Sequence, residues 1–149
     1  MRDRWMIRVL LLFGFAALTW LNPARPPWSA SAHTTGDAMR VLEIRSYNLK
    51  PGTRDRFQRR FVEESLPLLR RYKVDVVAYG PSLHDANSWF LMRAYSSIEE
   101  RQLSEDEFYG SDDWKKGPRE AVMADIDTYT TVVLQVDEDT IHALRRLTP

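Results

Sequence analysis

Between Val41 and Val136 the spacing of apolar residues switches between a period of two and a period near 3.6, in an order that few folds accept. Leu42 and Ile44 alternate with Glu43, Arg45 and Tyr47, so Val41–Leu49 reads as a strand. Pro51-Gly52 breaks it, and Thr53 stands where a helix N-cap belongs. Over Arg54–Tyr72, the residues Phe57, Phe61, Leu68 and Tyr72 form one apolar stripe, with Arg54, Arg59, Arg60, Glu63, Arg70 and Arg71 toward solvent. Pro67 lies inside that pattern and removes a hydrogen bond to the Glu63 carbonyl, which predicts a kink. Val74–Ser82 reads as a second strand, Leu83–Ser88 as a hairpin-like connection and Trp89–Tyr95 as a third strand. Ser97 with Glu100 is a capping box for a helix to about Tyr109, ended by Gly110. Ser111 caps a further helical piece through Trp114, interrupted at Gly117-Pro118 and resumed to Met123; Ile126–Val136 is a fourth strand.

Two split β-α-β units in so short a chain predict an α+β fold, the ferredoxin-like βαββαβ sandwich, with four antiparallel strands and two helices on one face. Its first and third strands lie side by side in the middle. Helices cover one face only, and the small or purely apolar phase (Leu42, Ile44, Val76, Ala78, Phe90, Met92, Ala94) suits them. The other phase then carries Glu43, Arg45, Tyr47, Val77, Tyr79, Trp89, Leu91, Arg93 and Tyr95. That surface is too apolar for water, yet its charges are costly to bury without partners. A second copy laid on it would satisfy both demands, giving a homodimer that closes as a dimeric α+β barrel. Arg45 and Arg93 then either pair with carboxylates to fix the dimer or hold an anionic group of a ligand, for which the guanidinium fork is suited.

The N-terminus reads as an address. Arg2, Arg4 and Arg8 precede the uncharged run Val9–Leu21, and Ala30-Ser31-Ala32 is a small-x-small site. These are the parts of a secretory signal peptide over residues 1–32, cleaved after Ala32; kept uncleaved, the segment would serve as a membrane anchor instead. Export to the periplasm or the medium follows. Residues 33–40 read as a flexible lead-in, 41–136 as the domain, and 137–149 as a C-terminal tail in which Thr140 caps a short helix. Removing residues 1–32 takes four arginines and Asp3 from balanced totals of 21 basic and 21 acidic residues, leaving a formal charge of −3. Such a balance excludes the basic footprint of a nucleic-acid binder. With no cysteine and three histidines, His33, His84 and His142, disulfide, thiolate and imidazole-rich metal chemistry drop out.

With the strands and breaks laid out, the chain resembles the NIPSNAP family. The residues that carry the resemblance are Glu43-Ile44-Arg45-Ser46-Tyr47-Asn48-Leu49-Lys50-Pro51-Gly52, Glu64–Arg71, Trp89–Ser97 and the segment around Asp113-Trp114. Together they span roughly residues 41–135. The resemblance implies the dimeric α+β barrel shared with antibiotic-biosynthesis-type monooxygenases and related ligand-binding proteins. It implies no settled catalytic residue set, and eukaryotic members are linked to mitochondria and protein partners.

Candidate chemistry is thin. A haem site wants an axial ligand, usually His, and Ser97–Met123 contains none; Tyr109 would be the substitute. No cofactor or metal is therefore expected. His84 beside Asp85 is a candidate general acid or base, and Asp75 on the second strand is another; turn chemistry and a salt bridge are their plainer roles. Glu105-Asp106-Glu107 reads as a solvated run, and Trp114 as a core anchor. The candidate ligand residues are Arg45, Tyr47, Tyr79, Trp89, Arg93 and Tyr95. Three functions fit: a homodimer binding a small aromatic or anionic molecule, a non-catalytic protein-interaction module, or a cofactor-free monooxygenase-like enzyme.

Overall fold

The computed structural model describes residues 38–148, so the leader read over 1–32 and most of the lead-in lie outside the described residues. The elements follow in the expected order. Strand β1 (Met39–Leu49) begins two residues earlier than the alternation suggests. Helix α1 (Arg54–Arg60) runs through a π turn, Phe61–Ser65, into α2 (Leu66–Arg71). Then come β2 (Asp75–Pro81), β3 (Ser88–Tyr95), α3 (Ile98–Gly110), the short α4 (Asp112–Lys115), α5 (Arg119–Asp125) and β4 (Ile126–Asp137). The described tail is helical, α6 (Glu138–Leu144) ending in a 3₁₀ turn, Arg145–Leu147. The sheet order is β2-β3-β1-β4, all antiparallel, which is the ferredoxin-like sandwich with β1 and β3 central.

Caps explain the helix starts. The Ser97 side chain accepts from the Glu100 N–H, while the Glu100 carboxylate accepts from the Ser96 N–H, one residue earlier than in a closed capping box. Ser111 accepts from the Trp114 N–H, and Asp137 rather than Thr140 caps α6. Thr53 precedes α1, but its hydroxyl donates to the Lys50 carbonyl instead of capping. Pro67, where a kink is expected, lies in a helix that runs on to Arg71. Lacking an N–H, it sits just beyond the π turn, where the Leu66 N–H reaches back to Phe61. The wider turn moves the buried stripe from the expected Leu68 and Tyr72 to Leu66 and Leu69, leaving the former pair half-buried.

The faces of the sheet are reversed from the sequence expectation. The helices cover the phase that carries Tyr47, Trp89, Leu91 and Arg93, because the rings of α1 and its π turn need large partners. Phe61 and Phe57 pack on Trp89 with centroids 4.7 and 5.0 Å apart, and Phe57 meets Tyr47 at 5.6 Å. Leu42, Ala78 and Ala94 face the opposite way, where α6 seats the buried Ile141 on them. A bulge in β2 between Val76 and Ala78 also breaks the alternation there: Val76 packs with the helix-side core and Val77 with the opposite cluster. The open face is thus the small apolar one. Beyond α6 it leaves Ile44, Phe90 and Met92 half-buried and Val132 and Leu134 exposed.

Candidate ligand-binding site

Every second residue of β1 and β3 points under the helices, which places Glu43, Arg45 and Tyr47 beside Trp89, Leu91, Arg93 and Tyr95. Helix α3 lies over them with no apolar stripe; Phe108 is its buried residue. Instead Arg101, Glu105 and Tyr109, four residues apart, present one polar face to the sheet. Glu105 is therefore no solvated residue: only 13% of its side chain is exposed.

The result is a closed charge cluster. Arg93 donates to Glu43 through two nitrogens and to Glu105 at 2.6 Å. Arg45 donates to Glu43 at 2.8 Å and to Glu105 at 2.5 Å. Arg101 donates to the other Glu43 oxygen at 2.5 Å and lies 3.0 Å from Glu105. Burying such groups is tolerable only when each is so multiply bonded. Burial alone would raise the Glu43 carboxyl, but the Arg93 and Arg45 guanidiniums override it and hold it at about 2. Burial raises Glu105, with the neighbouring Glu43 adding to that and Arg45 and Arg93 opposing it. Three guanidiniums against two carboxylates leave one positive charge over.

Two of those guanidiniums converge on a phenol. Tyr109 accepts from Arg45 at 2.8 Å and from Arg93 at 3.2 Å. Beyond it, between α3–α5 and strands β1 and β4, opens a cavity of about 610 Å³, a drug-sized volume. Its walls are Arg45, Tyr47, Tyr109, Trp114, Lys115, Arg119, Val122, Met123, Ile126 and Tyr129. Trp114 anchors α4 in the core and faces this space as well.

Of the six ligand candidates, the cavity gathers Arg45 and Tyr47. Trp89, Arg93 and Tyr95 are buried within the subunit, with Arg93 reaching the site through Tyr109. Tyr79 sits on β2 against Phe61 and Trp89, beside a smaller hollow of about 300 Å³. His84 is exposed in the hairpin, 3.9 Å from Asp85, whose carboxylate takes the Asn87 and Ser88 N–H groups as a turn clamp. Asp75 pairs with Arg40 at 3.0 Å and Arg145 at 2.8 Å, tying β2 to β1 and the tail. Sequence reasoning missed Arg101, Glu105, Lys115 and Arg119, and met Tyr109 only as a haem ligand. The four-residue spacing of Arg101, Glu105 and Tyr109 was the available signal. Among the described residues, no three His, Asp or Glu side chains come together to hold a metal ion.

The strand order and the covering helices define an α+β ferredoxin-like sandwich with a cavity on its helix side. No protein-family model and no curated protein matches the sequence, but solved structures do. A NIPSNAP family protein from Agrobacterium tumefaciens superposes with a TM-score of 0.63 at 13% identity, covering 69% of this chain and 90% of that one. An uncharacterized NIPSNAP-like domain protein from Burkholderia xenovorans gives 0.60 at 18% identity, covering 66% and 84%. A putative antibiotic biosynthesis monooxygenase from Bacteroides thetaiotaomicron gives 0.50 at 12% identity, covering 62% and 85%. The chain has the NIPSNAP-like fold.

Proposed function

We propose that this chain is an exported, homodimeric NIPSNAP-like domain that binds a small aromatic or anionic molecule in the cavity beside Arg45 and Tyr47. The observation that carries the reading is the cavity itself: about 610 Å³, walled by four aromatic side chains and reached by a guanidinium of the buried cluster. Export rests on the basic, apolar and small-x-small order of residues 1–32; among the described residues no helix is long and apolar enough to cross a membrane. The dimer rests on the open sheet face and on β4. This edge strand is twelve residues long, with Val132 and Leu134 on the open face 47% and 44% exposed, and such an edge invites pairing.

The same strand favours a second reading, a protein-interaction module that uses β4 and leaves the cavity empty. A monooxygenase-like activity has the fold likeness behind it and no residue of its own. Native mass spectrometry of the full-length chain made in an exporting host separates these. A cleaved dimer carrying a reproducible adduct supports ligand binding. An adduct-free dimer that stays unchanged when small aromatic acids are added favours the module, and a monomer removes the dimer.

A further inference from the structure

The cavity's polar lining has one sign. Arg45, Lys115 and Arg119 face it and no carboxylate does, in a chain whose acidic and basic residues are equal in number. Arg45 belongs to the cluster that already carries a surplus positive charge. Lys115 bonds to the Gly110 carbonyl, which leaves its charge uncompensated, and Arg119 is exposed with no ion-pair partner among the described residues. The other walls are flat or greasy: Tyr47, Tyr129, Trp114 and the aliphatic side of α5.

Tyr109 supplies the specificity. Its oxygen accepts hydrogen bonds from Arg45 and Arg93, and both guanidinium carbons lie within 6 Å of its ring centre, at 5.3 and 5.7 Å. With that oxygen engaged as an acceptor, the phenol's own hydrogen has no acceptor among the described residues. Two cationic donors on one hydroxyl polarise its O–H bond, and a polarised donor is a strong one. We infer that the cavity is a receptor for a flat aromatic acid, whose anionic oxygen accepts the Tyr109 hydroxyl hydrogen beside the Arg45 guanidinium, with Lys115 and Arg119 adding long-range attraction. This deepens the small-molecule reading above and rests on it. Arg93 is then a positioning residue, orienting the phenol from beneath, and Tyr109 is the group that touches the ligand.

Calorimetric titration of the full chain with naphthoate and with naphthamide, identical in shape and different in charge, tests the inference. Naphthoate is expected to bind at least tenfold more tightly, the scale of a charged hydrogen bond. Tyr109→Phe, which keeps the ring against Phe108 and Trp114, should weaken naphthoate about tenfold and naphthamide, whose carbonyl is a neutral acceptor, by less. Arg119→Gln, at an exposed position, should give a smaller, salt-dependent loss for naphthoate alone, and it serves as the probe where Tyr109→Phe fails to fold. Equal affinity for the two compounds, or an unaltered preference in both variants, overturns the aromatic-acid inference while the small-molecule reading stands. Binding of neither compound overturns both.

Discussion

Glu43 has no contact with water and takes donors from Arg45, Arg93 and Arg101. Replacing it with Gln removes one of two carboxylates from among three guanidiniums, and breaking a buried pair in this way typically costs about 3–5 kcal/mol. Urea unfolding at neutral pH should show that loss. The pH dependence has a definite sign. Because the Glu43 carboxyl is held at about 2 against the usual 4.5, its contribution is complete above pH 4.5. It is lost as pH falls toward 2, and amounts to roughly 3 kcal/mol. Glu105, raised by burial and further by Glu43 itself, runs the other way, so the comparison of wild type with Glu43→Gln reads the removal of Glu43 together with its effect on Glu105. The variant's stability should fall less steeply between pH 4.5 and 2; an equally steep fall would place the acid sensitivity elsewhere. A second residue is strained rather than paired. Lys73 sits at φ 58° after α2, where its N–H bonds to the Arg70 carbonyl and the Val74 N–H to Leu69, a Schellman closure that glycine adopts freely. Lys73→Gly is expected to raise stability by up to about 1 kcal/mol, read as a higher urea midpoint at unchanged slope.

At the scale of elements, α6 shows how a short tail shapes the sheet's open face. Its seven residues carry one fully buried side chain, Ile141, set between Leu42, Ala78 and Ala94. Ile141→Ala should cost about 2–4 kcal/mol, and hydrogen exchange should show α6 and the adjoining end of β2 losing protection before the rest of the sheet. A uniform loss would mean that α6 unfolds only with the whole domain. The turn between α4 and α5 has a tighter constraint: a Cβ on Gly117 would stand 2.2 Å from the Asp113 carbonyl oxygen. Element order, both Ser caps and the central pairing of β1 with β3 were legible because each depends on local chemistry. The choice of covered face was not. Period two tells which residues share a face, and only the fit of Phe57 and Phe61 to Trp89 tells which face the helices take. The π turn likewise shifts a stripe that a fixed period of 3.6 misplaces. The candidate site was half legible: the strand alternation singles out Arg45 and Tyr47, which line the cavity, whereas Glu105 was read with its exposed neighbours because a run of acids looks solvated until a facing cluster of arginines is known.

For the molecule as a whole, the reversal of faces moves the expected dimer contact from charged residues to apolar ones. The phase bearing Arg45 and Arg93 pairs both of its buried carboxylates with guanidiniums inside one subunit and lies under the helices, so no second copy is needed to cover it. What remains uncovered is Ile44, Phe90, Met92, Val132 and Leu134, on the far side of the sheet from the cavity. A contact there would bury apolar surface at about 25 cal/mol per Å² and leave the cavity mouth on the helix side untouched. Assembly and ligand binding should therefore be separable. Val132→Glu places a charge in the middle of the exposed apolar strip and is expected to yield monomers in sedimentation analysis at concentrations where the unaltered chain is dimeric. The same variant should hold naphthoate with unchanged affinity, since neither Arg45 nor Tyr109 lies on that face. A dimer that survives Val132→Glu would mean that the copies meet elsewhere. A monomer that also loses the ligand would mean that β4, which carries Tyr129 into the cavity wall, couples the two faces through its own position.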